Sequence, residues 1–223
     1  MGRVWIFIFL SGVLSNFNAF AQYSVATDGS LLRNLKEQQK FWVFGQTVQL
    51  NLYPSGEKNA VYAWISYYTT GNFTNNFVAA AKNAGTTPQE IHYTAHTGLR
   101  YRQLSVGWKH YFIGAYNSEN IWNAYGYGGF GLLLGKVSNS FDKPVDSALY
   151  IIPPPIEGSS GFKRLTIDAG LGVEFPLGTT VFVYTEARTW LPSSHYPSKY
   201  LYKSNHNIPE VIAINLGLRI LIE

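Results

Sequence analysis

The sequence predicts an all-β protein, an eight-stranded antiparallel up-and-down transmembrane β-barrel with short periplasmic turns and long extracellular loops. Three observations predict it. In the stretch 211–222, VIAINLGLRILI, residues Ile212, Ile214, Leu216, Leu218, Ile220 and Ile222 fall on one side of an extended chain. Ala213, Asn215, Gly217, Arg219 and Leu221 fall on the other, so a strand with one wholly aliphatic face is expected. The connections also alternate in length, short near 55, 115 and 177 and long at 71–96, 138–160 and 191–208. Outer-membrane barrels sort their loops in this way, with the turns at the periplasmic end. Finally, the chain is 16% aromatic and only 13% charged, a balance suited to strands that meet lipid with alternate residues.

The first 21 residues read as a cleaved secretory signal. Arg3 precedes the apolar run 4–10, and the small-residue site Ala19-Phe20-Ala21 stands before Gln22. A membrane anchor would need about 20 apolar residues, and Ser11, Ser15, Asn16 and Asn18 interrupt this one. Residues 22–223 are then a single barrel domain. With no cysteine, a disulfide framework, thiolate catalysis and thiolate metal sites are excluded. A net charge of +4 is too small to argue for nucleic acid, and suits contact with lipopolysaccharide phosphates.

Segment 23–34 is a first strand interrupted by Asp28-Gly29, retained because bacterial barrels use even strand numbers. In 41–53, Trp42, Phe44, Val48, Leu50 and Leu52 oppose Gly45, Thr47, Gln49 and Asn51. Pro54-Ser55-Gly56-Glu57 makes a turn into 60–69, with Tyr62, Trp64, Ser66 and Tyr68 inward. The polar connection 71–96 is expected to hold a helical turn at 78–82. Strand 99–112 sends Leu104, Val106, Trp108 and Phe112 outward, with Gln103, Gly107 and Lys109 inward. The glycine-rich stretch 122–137 follows, then a loop at 138–160 stiffened by Pro153-Pro154-Pro155. Strands 162–175 and 180–190 form a hairpin about Leu177-Gly178-Thr179, and a third loop reaches the final strand.

The inward faces carry charges of both signs, and the expected interior network is Lys109, Arg164, Asp168, Glu174, Glu186, Arg188 and Arg219. Eight strands enclose only enough room for side chains or one small ligand, and charges there must be paired. A three-residue loop at 177–179 sets Asp168 opposite Arg188, whereas the adjacent register sets Asp168 against Glu186, a like-charge pair. The first register is therefore expected, with Glu186 left to Arg219. Such a network reads as a structural plug before an ion gate. Trp42 at one end, and Trp108, Phe112 and Trp122 at the other, are the expected aromatic girdle, and Arg102 faces outward near the long loops.

Other patterns carry less. Gly126-Tyr127-Gly128-Gly129-Phe130-Gly131 matches a dinucleotide fingerprint in letters but lacks the helix that must follow. His92 and His96 lie outside any helical metal motif, and Ser193-Ser194-His195 has a nucleophile beside a base with no orienting acid. No catalytic residue, cofactor or metal site is assigned.

The stretches YSVATDGSLLRNLKEQQKFWVFGQTV, RQLSVGWKHYF, YGYGGFGLLLGKV and FKRLTIDAGLGVEFPLG, with the closing INLGLRILIE, resemble small outer-membrane barrels of the OmpX/OmpW type and outer-membrane barrel proteins common in Bacteroidota. Many such barrels end on an aromatic residue read by the barrel-assembly machinery, where this one has Ile222-Glu223. The resemblance implies a non-enzymatic, structural or surface-exposed protein of the outer membrane, in contact with outer-membrane lipid and leaving weak small-solute permeability open. The alternatives are a lipid-modifying hydrolase or acyltransferase, and a soluble periplasmic lipocalin-like barrel with its aliphatic faces turned inward.

Overall fold

Strict alternation of burial along almost every strand follows from the period-two pattern, and closes the sheet with its polar face inside. The computed structural model describes residues 22–54, 56–119, 121–193, 199–201 and 211–222. Its strands are β1 (Gln22–Asn34), β2 (Phe41–Tyr53), β3 (Asn59–Tyr68), β4 (Gly71–Ala81), β5 (Glu90–Ile113), β6 (Asn123–Phe141), β7 (Tyr150–Ile151), β8 (Gly158–Pro176), β9 (Val181–Pro192) and β10 (Val211–Ile222). Eight of them, in the order β3-β2-β1-β10-β9-β8-β6-β5, form an antiparallel sheet that closes through a β3–β5 pairing. The first strand is regular across Asp28-Gly29, which pair in register with Thr47 and Gln46 of β2.

Two expectations are corrected. Residues 78–82 hold no helical turn. The segment Gly71–Ala81 is strand β4, which pairs with the upper part of β5 from Gly71↔Leu99 to Ala80↔Glu90. Ala-rich sequence favours a helix locally, but here Ala79, Tyr93 and Tyr150 bury one another beyond the barrel, with Phe77, Ile91 and Phe141 packed against them. That tertiary contact outweighs the weak local preference. The same cluster orders part of the loop expected at 138–160, where β7 pairs with Ala80 and Ala81. The wall formed by β4, β5, β6 and β8 thus rises above the rest of the barrel.

The second correction is the β8–β9 register. Leu177 donates its N–H to Val181 O, so the loop centres one residue later than expected. Gly170 then faces Arg188, Gly172 faces Glu186, and Asp168 faces Trp190. Charge pairing alone did not choose this register; volume did. Across the other edge of β8, Tyr127 and Tyr125 lie opposite Gly170 and Gly172, and a Cβ on either glycine would collide with a tyrosine ring. Large inward side chains therefore alternate with glycines around this side of the barrel, as close packing requires.

Candidate functional site

The interior has three layers. At the end carrying the longer loops, Leu32, Phe41, Tyr68, Leu99, Tyr101, Leu133 and Trp190 form an apolar and aromatic stopper, with Leu201 packed on it. At the opposite end, Tyr53, Tyr62, Trp64, Tyr111, Tyr125, Tyr127 and Phe182 form an aromatic floor. Tyr116, from the turn at 114–122, stacks on Tyr53 with ring centroids 3.9 Å apart and donates its hydroxyl to Gln22.

Between these layers lies the charged network. Arg188, buried on β9, donates Nη2 to Glu186, Nε to the Tyr127 hydroxyl at 3.0 Å, and Nη1 to Ser66 at 3.3 Å and Thr47 at 3.4 Å. Its guanidinium sits 4.2 Å from the centre of the Trp64 ring. Glu186 also accepts from Tyr125, Tyr127 and Asn215, at 3.1, 3.2 and 3.1 Å. Arg219 grips Glu174 through Nε at 3.1 Å and Nη2 at 2.8 Å, a two-point contact favoured by the guanidinium fork. Asn123 completes the Glu174 shell, and Arg219 lies 3.9 Å over Phe182. Lys109 is buried with its ammonium 4.1 Å over Tyr125.

The expected pairs differ from these in partner. Asp168 and Arg188 do not bond: Asp168 accepts from the neutral donors Gln103 at 2.6 Å and Thr166 at 2.9 Å. Glu186 is held by Arg188 two residues along its own strand, and Arg219 takes Glu174 instead of Glu186. The first change follows from the one-residue displacement of the loop; the second follows from the β9–β10 register, which sets Glu186 opposite Asn215 and Arg219 opposite Phe182. Arg164 stands apart from the network, part-exposed toward the rim, 5.9 Å over Phe162 with Nη1 on the Lys163 carbonyl. Asp28 is a member that sequence reasoning missed. Its carboxylate accepts from Ser30 and Tyr184 and lies 4.0 Å from Arg188. The alternation Ser24, Ala26, Asp28, Ser30 was the available signal, obscured by reading Asp28-Gly29 as an interruption of the strand.

On the outside, Phe44 is 72% exposed, Leu165 66% and Leu216 65%, in a band that continues around the barrel through Ile65, Val106, Phe130 and Ile214. Trp42, Trp108, Phe112 and Trp122 are all exposed, with Trp42 near the long-loop end and the other three at the short-turn end. A furrow of about 820 Å³ runs along this outer wall between Trp108, Phe112, Leu171 and Ile212. None of the described residues forms a cluster able to hold a metal ion. Residues 194 and 195 of the Ser-Ser-His stretch, and the proposed signal, lie outside the described residues.

Fold and site together define a closed barrel built inside out, aliphatic on its surface and charged at its centre. No family model matches the chain, and no curated protein matches its sequence. Solved structures do. The attachment invasion locus protein Ail of Yersinia pestis, solved with the heparin analogue sucrose octasulfate, is 11% identical, with 91% of this chain and 99% of that one covered and a TM-score of 0.47. Neisserial surface protein A is 12% identical over 89% and 96% of the two chains, with a TM-score of 0.47. A major outer membrane protein from Thermus thermophilus is 11% identical over 91% and 99%, with a TM-score of 0.46.

Proposed function

We propose that the protein is an integral outer-membrane β-barrel of structural or surface-exposed, non-enzymatic character, exported through a cleaved signal at 1–21 and inserted by the barrel-assembly machinery. The observation that carries this reading is the apolar band exposed on the outside of seven of the eight barrel strands, with Val181 and Val183 part-exposed on β9, opposite a buried interior that holds the charges. In water that band would be a very large apolar patch; in a bilayer it is the surface a closed barrel needs. The same polarity argues against a lipocalin-like cup, whose aliphatic faces would point inward. The OmpX/OmpW-type and Bacteroidota resemblance of the sequence agrees with this reading.

The interior supports a plug. Aromatic layers close both ends, and the arginines between them are engaged by carboxylates and hydroxyls. A plug of this kind opposes the passage of solutes and leaves at most weak small-solute permeability. Membrane fractionation with gel mobility of unboiled and boiled protein tests the proposal: recovery with outer membranes and a mobility shift on boiling are expected. Detergent-free recovery from the periplasm would refute it. Planar-bilayer recording tests the plug, where steady single-channel conductance would contradict it.

A further inference from the structure

We infer that the outer wall carries a binding site for the phosphorylated headgroup of an outer-leaflet glycolipid, formed by Arg100 and Arg102 of β5, Lys136 of β6 and Lys163 of β8. The inference rests on the outer-membrane reading above, and names a lipid partner and the residues that meet it. The site emerges from register. Leu104, Leu132 and Leu165 lie side by side across three strands as the last aliphatic row. The next row toward the long-loop end is Arg102, Leu134 and Lys163, and the one after it Arg100, Lys136 and Gly161. All four cations are on the outward parity of their strands, and Arg102, Lys136 and Lys163 are exposed. Apolar wall gives way to positive charge within a single step of the ladder, where a bilayer changes from acyl chain to headgroup.

Two features set this patch apart from a scatter of solvated charges. Arg100 and Lys136 are direct cross-strand partners, an arrangement of like charges that destabilises a sheet unless an anion lies between them. None of the four forms an ion pair with a described carboxylate, although arginines in the barrel interior do. The guanidinium groups are also braced. Arg100 donates Nε and Nη2 to the Thr70 hydroxyl at 3.1 and 2.9 Å, and Arg102 lies 5.4 Å over the Tyr67 ring. With neighbouring strands about 4.8 Å apart, the patch spans roughly 10 Å, so cations on three strands can converge on one phosphate. The aliphatic rows below continue as a track for acyl chains. This continuity favours a lipid over a free anion.

The test uses full-length protein folded in a neutral detergent. The probes are an acylated glucosamine disaccharide carrying two phosphates, its dephosphorylated counterpart with the same acyl chains, and inorganic phosphate. The wild type should bind the diphosphorylated glycolipid at least tenfold more tightly than the dephosphorylated one, with inorganic phosphate a poor competitor. Each surface cation is worth about fivefold near an anionic headgroup, so R100Q/K136Q should lose most of the discrimination, while R33Q, on β1 beside Trp42, keeps it. The unfolding midpoint of R100Q/K136Q without glycolipid should hold or rise, because a like-charge pair has gone. Equal binding of the two glycolipids, or undiminished discrimination by R100Q/K136Q, would overturn the site. Inorganic phosphate that saturates the patch and blocks the glycolipid at equal concentration would overturn the lipid as its occupant. A wild type without heat-shifted mobility overturns the membrane reading and this site with it, and is told apart by that gel.

Discussion

Replacing Glu186 by Gln and Asp168 by Asn, each alone, separates the structural register from the one that charge pairing suggests. Glu186 shares a short contact with Arg188 and accepts three further hydrogen bonds. Without its charge, buried Arg188 keeps only Asp28, 4.0 Å away, and neutral hydroxyls. Breaking one side of a buried pair costs about 3–5 kcal/mol, and the residual attraction to Asp28 places Glu186→Gln near the lower end, about 3 kcal/mol. Asp168 is held by two neutral donors and has no cation in bonding contact. An amide oxygen still accepts the Thr166 hydroxyl, less strongly than a carboxylate does, so Asp168→Asn should cost about 1 kcal/mol, in the range of one neutral hydrogen bond. Urea unfolding of the barrel in lipid or detergent, followed by the fraction migrating as the unboiled form, gives both values. If Asp168→Asn proves as damaging as Glu186→Gln, Asp168 is the true partner of Arg188 and the register argument fails.

Four other outcomes follow from the geometry. Because the chain has no cysteine, the double variant A169C/T189C, whose residues are direct partners, should form a disulfide on mild oxidation, whereas A169C/A187C should not; non-reducing gels decide between the two registers. Gly170→Val should cost about 1–3 kcal/mol by overpacking against the Tyr127 ring, read as a lower urea midpoint. Tyr93→Ala should loosen the β4–β5 hairpin by removing the centre of its small cluster, so that protease cuts near residues 82–89 while the barrel keeps its heat-shifted mobility. Brominated lipids should quench Trp42, Trp108 and Trp122, which are exposed on the outer wall, far more than buried Trp64 and Trp190; equal quenching of single-tryptophan variants would contradict the orientation of the wall.

The eight barrel strands were legible because each has a simple two-valued pattern. On β10, every even residue from Ile212 to Ile222 is aliphatic, and no other periodicity accommodates that row. The interior membership of Lys109, Glu174 and Arg219 followed from the same parity, since a wrong face would put a charge in the aliphatic band. Partner choice was not legible, because parity leaves each register free to slide by two residues without moving any side chain to the wrong face. The choice between Asp168 and Glu186 as the partner of Arg188 depended on where Tyr125 and Tyr127 find room, and those tyrosines come from β6, not from the hairpin. The hairpin β4–β5 was hidden for a related reason: Phe77 and Ala79, Tyr93, and Tyr150 come from three separate stretches of sequence, each of which alone reads as loop.

The raised wall and the packed interior divide the molecule into separate regions. Inside, close packing between glycine and tyrosine rows leaves the charges little room to move, so Arg188 and Arg219 act as cross-links between strands. Their contacts reach β2, β3, β6 and β9 from Arg188, and β2 and β8 from Arg219. Chemistry open to a partner then lies where parity turns side chains outward beyond the aliphatic rows: the cations at 100, 102, 136 and 163, and above them the polar face of Thr74, His96 and Ser140, which are register partners across β4, β5 and β6. The strands that carry the aliphatic rows and those that extend beyond them are the same strands, and the change from Leu104 to Arg102 on β5 marks the level where one surface gives way to the other.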